Sequence, residues 1–276
     1  VASPPVLNMS KTLISVVLAT HNEEKNLAMS LDSVKEWADE IIIADGESTD
    51  KTVEIARQYN AKIIKTTNKA NFHINKQIAM DEAQGKIVLQ LDADEVVDKR
   101  MANFIQDKAK EVSRVAEEDV KSYQPKAWNL RRKNFFLGKF LTKGGQYPDP
   151  VIRLYLNGYA QLPQKDVHEQ MTVQGDVEFA SGHLLHYSNP TFSDYLRKFN
   201  TYTSFKATQL KADKTPVNAV SFVEYIILYP LKTFFSLFLR HKGFQDGIAG
   251  FVFALMSGIY WQISYLKLWE IHEQNH

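Results

Sequence analysis

Leu13 to Ala19 is an apolar, largely β-branched run of strand length, and the next five residues, Thr20-His21-Asn22-Glu23-Glu24, offer caps and early acids for a helix. Leu27, Leu31 and Val34 recur at helical spacing, and Ile41 to Ala44 reads as a second buried strand. After Asp45 to Asp50, the residues Val53, Ala56 and Arg57 to Tyr59 predict a second helix, and Ala61 to Lys65 a third strand. A helix from about Asn71 is expected to turn Ile74, Ile78 and Ala79 inward and to end with Gly85 as its C-terminal cap, before a fourth strand at Ile87. Four strands alternating with helices predict βαβ units, hence a parallel sheet with right-handed crossovers and its polar loops along one edge.

Further on, a charged amphipathic helix is expected from about Met101 to Lys121. Short strands then follow at Lys126 to Asn134, Val151 to Leu156 and Glu178 to His186, broken by Gly and Pro, so the sheet becomes mixed. The chain turns helical again from Phe192. Phe222 to Leu239 holds only Glu224 and Lys232 as charges, and Gly247 to Leu266 holds none. The second run is long enough to span a bilayer, but Gly250, Ser257, Gly258, Gln262 and Ser264 dilute it. With Arg240-His241-Lys242 between the runs and many Tyr and Trp within them, the tail reads as lying on a membrane. An ordinary helical hairpin packed on the sheet is the plain alternative.

Composition narrows the classes. A chain of 276 residues with 44% hydrophobic side chains is globular, and its net charge of +1 gives no general grip on nucleic acid. Without cysteine there are no disulfides, thiol nucleophiles or Cys-ligated zinc, which suits the cytosol. No Walker loop, dinucleotide fingerprint or Gly-x-Ser-x-Gly elbow is present. Residues 1–9 read as a tail or vector remnant, with Met9 as the natural start.

The chemistry concentrates at strand ends. The Ile87 strand runs into Asp92-Ala93-Asp94-Glu95, and a carboxylate pair beyond a parallel strand suits Mg²⁺ or Mn²⁺, which take oxygen ligands from one or two carboxylates plus substrate phosphates. A turn that caps the next helix would look the same. The coincidence of three polar clusters, Thr20 to Glu24, Asp45 to Asp50 and Asp92 to Glu95, at successive strand ends decides between them.

These three segments resemble, in order, the motifs of the inverting family 2 glycosyltransferases with the GT-A fold. Tyr147-Pro148-Asp149, Arg153-Leu154, Val167-His168-Glu169 and His183 to Ser188 look like the branch that includes lipopolysaccharide core β-1,4-glucosyltransferases. The resemblance implies an α/β fold with a mixed, mainly parallel sheet flanked by helices. Residues 10–205 would form the catalytic domain, with 10–100 as the nucleotide-sugar half and 120–190 as the acceptor half, and 206–276 would form a membrane-associating helical segment. It implies that Thr20, Asn22, Glu23 and Asp45 hold the nucleotide base and ribose, with Asp92 near the ribose or a metal-bound water; Arg153, as a lone cation, is a candidate for the pyrophosphate or an anionic acceptor, or a solvated charge. Asp94 would reach an Mn²⁺ or Mg²⁺ ion, with Asp92 and His186 as further candidates.

Inverting transfer needs a base for the acceptor hydroxyl; Glu169 is the first candidate and Asp149 the second, while His168 could be a base, a phosphate partner or a ligand. Arg131-Arg132-Lys133, with no acid beside it in sequence, receives an anion or forms a solvated face. The expected activity is metal-dependent transfer of a hexose, glucose foremost, from a UDP-sugar to a glycan or lipid-linked acceptor at the inner face of the cell membrane. The alternatives are a polyprenyl-phosphate hexose synthase and a non-catalytic nucleotide-sugar binding protein on the membrane.

Overall fold

The computed structural model describes residues 13–69, 71–116, 119–163 and 170–274. The chain divides into two compact units, Val1–Arg132 with Pro150–His186, and Lys133–Asp149 with Tyr187–His276.

The strands are β1 (Ile14–Thr20), β2 (Glu40–Gly46), β3 (Lys62–Thr66), β4 (Ile87–Gln90), β5 (Glu95–Val97), β6 (Ala127–Phe136), β7 (Lys139–Phe140), β8 (Asp149–Leu156), β9 (Ala160–Gln161), β10 (Thr172–Val173), β11 (Val177–Phe179) and β12 (Leu184–His186). The main sheet runs β3-β2-β1-β4-β8-β6-β12-β5. Its first four strands are parallel, and β8 pairs antiparallel with β4. This is the mixed α/β sheet expected for the GT-A fold. Because β1 has β2 on one side and β4 on the other, the strand order reverses at β1, the kind of place where open sheets bind ligands.

Alternation of side chains builds two cores on the two faces of this sheet. Val16, Leu18, Ile43 and Leu89 pack with Leu27 and Leu31 of α1 (Leu27–Asp32) and with Met101 and Ile105 of α4, while Val17, Ile42 and Val88 pack with Ala79 and Met80 of α3 and with Tyr155. Here α2 is Thr52–Gln58, α3 Phe72–Asp81 and α4 Lys99–Ser113.

Several expectations need correcting. Helix α4 ends at Ser113, eight residues short of Lys121, where the Ser113 hydroxyl donates back to the Lys110 carbonyl and competes with the helical pattern. Glu178 to His186 is not one strand but the parts β11 and β12. Between them Gly182 holds φ +91°, and a Cβ there would fall 2.3 Å from the Met101 nitrogen, so the chain bends against the start of α4. The inward face of α3 is also rotated: His73, Asn75 and Lys76 are buried, whereas Ile74 and Ile78 are half-buried.

Gly85 is not a helix cap, since α3 closes at Glu82. Its N–H donates to Ser15 Oγ at 2.7 Å, and a Cβ would sit 2.6 Å from that oxygen and 2.7 Å from the Ser15 nitrogen. Only glycine lets the backbone come this close to β1.

In the second unit, β7 pairs antiparallel with the end of β6, Phe135 opposite Phe140. Helix α5 (Phe192–Ala212) starts at the Thr191 cap, whose hydroxyl accepts from the Asp194 N–H. A first apolar helix, Ala219–Arg240, contains π-type turns at Glu224–Leu228 and Ser236–Arg240, and a second, Gly247–Glu273, follows a short turn at Gly243–Asp246.

The backbone approach at Gly85 yields a test of the first unit. Gly85→Ala is expected to destabilise it by about 2 kcal/mol through overpacking against β1. Urea denaturation measures this, and an unchanged midpoint would show that the approach is not tight.

Candidate active site

The loops after β1 and β2 are stitched together side chain to backbone. Register places Thr20 opposite Asp45. The buried Asp45 carboxylate accepts from Thr20 Oγ1 at 3.2 Å, Ser48 Oγ at 2.6 Å and Ser48 N–H at 3.1 Å. Of these three bonds Oδ2 takes one, which leaves it a lone pair for a further N–H donor. Asn22, at φ 57°, takes the Thr49 N–H on Oδ1 at 2.8 Å and gives its own N–H to Ser48 Oγ at 2.9 Å. The Glu23 N–H donates to Thr52 Oγ1 at 2.7 Å, and Glu23 Oε2 accepts from Asn26. Thr20 and Asn22 are therefore not helix caps. The next helix, α1, begins only at Leu27 and has no side-chain cap.

At the end of β4 stands a second cluster. Asp92 receives Lys76 Nζ at 2.5 Å on Oδ1 and Arg153 at 2.6 Å on Oδ2, and Gln90 Nε2 donates to it at 3.0 Å. Burial pushes the Asp92 carboxyl up, but Arg153 and Lys76 outweigh burial and hold it well below the usual carboxylate range. Burial drives the Lys76 ammonium down despite Asp92 beside it, whereas for Arg153 the carboxylates of Asp92 and Glu95 overcome burial and raise the guanidinium. Glu95, fully buried on β5, accepts the Asp92 N–H at 3.0 Å and lies 3.4 Å from Arg132 and 3.8 Å from Arg153. Arg132 is thus paired through space with an acid, contrary to its appearance in sequence. Arg131 instead donates to the Ala180 carbonyl and stacks on Phe179.

Asp94 lies on the other side of the turn, its Oδ2 3.5 Å from His186 Nε2. Among the described residues no group of three His, Asp or Glu side chains could by itself hold a metal ion. A two-ligand pair still fits Mg²⁺ or Mn²⁺ that draws its other ligands from a diphosphate and water, which is how such ions are commonly held. Asp92, saturated by two cations, is the weaker ligand candidate.

A cavity of about 310 Å³ opens beside this cluster, lined by Phe72, His73, Lys76, Asp92, Arg132, Arg153 and His186, among others. Gln90 also lines it, and its buried Oε1 has no hydrogen-bond partner. Cations thus surround a space large enough for a phosphate-bearing ligand. Asp149 belongs to the second unit, where Asn134 Nδ2 donates to its Oδ2 at 3.0 Å. His168 and Glu169 lie outside the described residues. Sequence reasoning passed over Lys76, His73 and the orienting role of Glu95. The one signal available was a lysine and a histidine three residues apart on a helix otherwise read as packing against the sheet.

A family model described as glycosyl transferase family 2 matches residues 15–161. The chain is similar to the lipopolysaccharide core biosynthesis glycosyltransferase LpsC of Rhizobium meliloti, at 26% identity over 274 residues, covering 95% of this chain and 94% of that protein. It is also similar to an uncharacterized glycosyltransferase of Rickettsia typhi, at 26% identity over 250 residues, covering 87% and 82%. Among solved structures, S. aureus TarS 1-349 in complex with UDP aligns at TM-score 0.44 and 15% identity, covering 96% of this chain and 92% of that one. A longer TarS chain aligns at TM-score 0.44 and 18% identity, and this chain spans 46% of it.

The charge cluster makes a pH-dependent prediction. A depressed carboxyl adds stability that is present above the ordinary carboxylate pKa of about 4 and is lost as pH falls toward the folded value. Asp92→Asn, which removes the carboxylate bonded to both Lys76 and Arg153, is expected to cost about 3 kcal/mol near pH 7. The gap from the unmutated protein should shrink below about pH 4. Denaturation across a pH series reads this, and a gap constant down to pH ~3 would contradict it.

Proposed function

We propose, starting from the fact that this chain belongs to glycosyl transferase family 2, that it is a metal-dependent inverting transferase moving a hexose, glucose foremost, from a UDP-sugar to a glycan or lipid-linked acceptor such as a lipopolysaccharide core. One observation carries this reading: the base-binding candidate Asp45 and the acid turn Asp92–Asp94 stand at the carboxyl ends of strands on either side of β1, at the switch point of the sheet.

In that reading Asp45 and Thr20 select and seat the uracil. Asn22 and Glu23 tie the first loop to the second and so fix its shape around the ribose. Lys76, Arg132 and Arg153 provide positive charge toward the diphosphate, and Asp92 keeps Arg153 and Lys76 in place. Asp94 and His186 would hold Mn²⁺ or Mg²⁺, which when bound offsets the charge on the departing diphosphate. The acceptor oxygen attacks the anomeric carbon from the face opposite the leaving group, the bond from that carbon to the diphosphate oxygen breaks, and the acceptor proton passes to a carboxylate. Glu169 is proposed as that base, with Asp149 or His168 as the other candidates. The apolar C-terminal helices are proposed to bring the enzyme to the inner face of the cell membrane, where a lipid-linked acceptor is at hand.

Two apolar helices of such length also suit a polyprenyl-phosphate acceptor, whose phosphate oxygen needs no strong base. Glu169→Gln separates the cases: for a hydroxyl acceptor, transfer should fall at least about a hundredfold with donor binding retained. Transfer unchanged would remove Glu169 as the base.

The donor site is tested by calorimetry. Asp94→Asn is expected to weaken Mn²⁺-dependent UDP binding by about tenfold or more, ~1.4 kcal/mol. Equal binding by the variant would remove Asp94 as ligand.

A further inference from the structure

Both apolar helices are long enough to cross a bilayer, at 22 and 31 residues with their adjoining turns. Yet polar contacts tie the two ends of the pair to the same unit. At the connecting turn, the buried Asp246 carboxylate accepts the N–H groups of Thr142 at 2.9 Å and Lys143 at 2.8 Å and the Thr142 hydroxyl at 2.9 Å, while Gly144 N–H donates to the His241 carbonyl at 2.9 Å. At the far end, Lys267 Nζ donates to the Asn200 carbonyl at 2.7 Å and to the Thr203 and Ser204 hydroxyls at 2.8 Å, and the Tyr265 hydroxyl donates to the Pro216 carbonyl at 3.4 Å. Between these ends α5 accompanies the second helix: Tyr195 and Phe253 both pack on Phe136, Tyr260 donates to the Tyr202 carbonyl, and Leu210 and Leu268 share one buried cluster.

If the pair spanned a membrane, about 30 Å of hydrocarbon would separate the turn, with its bonded Thr142 and Lys143 backbone, from Asn200 and Pro216. Helix α5 would have to follow it through, carrying Asp194, Arg197, Lys198, Lys206 and Lys211. Each such charge at mid-bilayer is strongly unfavourable, and this helix holds five.

We propose that the pair is monotopic: it lies in one leaflet, with the turn and the far end on the same side, and meets lipid through one face. This rests on the membrane attachment proposed above. Ile227, Leu231 and Phe235 of the first helix are exposed at four-residue spacing, and Ile248 (82% exposed), Phe251 and Leu255 of the second are exposed three and then four residues apart. Other positions of the first helix, Tyr225, Tyr229 and Lys232, instead line a cavity of about 490 Å³ with Lys206 and Asp213, so the pair has a polar side as well. Exposed Arg240, His241 and Lys242 at the turn match anionic headgroups.

The chain has no cysteine, so Gln245→Cys and Glu270→Cys, both at exposed positions, each place a single thiol at one end of the pair. Inverted and right-side-out vesicles from expressing cells are treated with a membrane-impermeant maleimide. Both thiols should react in inverted vesicles and neither in intact right-side-out ones; reaction of the two from opposite sides would overturn the proposal. Flotation of the full chain with phosphatidylethanolamine–phosphatidylglycerol liposomes checks attachment separately, and a chain that neither floats nor sediments with membranes defeats the attachment and this topology together. Ile248→Glu combined with Leu255→Glu should abolish flotation with thermal unfolding unchanged; retained flotation would contradict the assigned face.

Discussion

The ionised carboxylate of Asp92 is the constraint around which the first unit's site is arranged. It stands where a fully buried strand ends, with its side chain only 24% exposed, so it needs opposite charge close by. Lys76 from α3 and Arg153 from β8 supply that charge, and their pairing fixes three elements around one point. Glu95 then holds the turn from below by accepting the Asp92 N–H. With Asp92 engaged, Asp94 is the carboxylate of the pair that stands beside His186, so the two acids face different partners although one residue separates them.

The strand ends were legible in the sequence because buried parallel strands are continuous apolar runs, and Thr20, Asp45 and Asp92 follow three of them directly. Their roles were less so. Thr20 and Asn22 look like caps by residue type, but their oxygens serve the neighbouring loop, a partnership between residues more than twenty apart that only the parallel pairing of β1 and β2 creates. Lys76 was hidden for a similar reason: helical periodicity favours Ile74 and Ile78 as the inward face, whereas burial of a lysine here is offset by Asp92 and the Phe72 ring lying against it. Gly85 and Gly182 carry ordinary turn signals in sequence. Which backbone each must approach is a property of the tertiary structure.

The second unit shows the opposite balance. Its apolar helices are evident from composition, and α5 starts where the Thr191 cap and the hydrophobic spacing place it. What composition cannot supply is the set of polar bonds at both ends of the helix pair, above all the Asp246 carboxylate closing on Thr142 and Lys143. Those bonds join the apolar helices to the segment that leads to Asp149, so the helix pair and Asp149 belong to one compact unit.

A crystal grown with UDP and Mn²⁺ bears most directly on the division of labour between Asp92 and Asp94. Anomalous scattering should place manganese within coordination distance of Asp94, the uracil imide against Asp45, and Asp92 still bonded to Arg153 and Lys76. Manganese on Asp92 with Arg153 displaced, or a uracil bound away from Asp45, would contradict it.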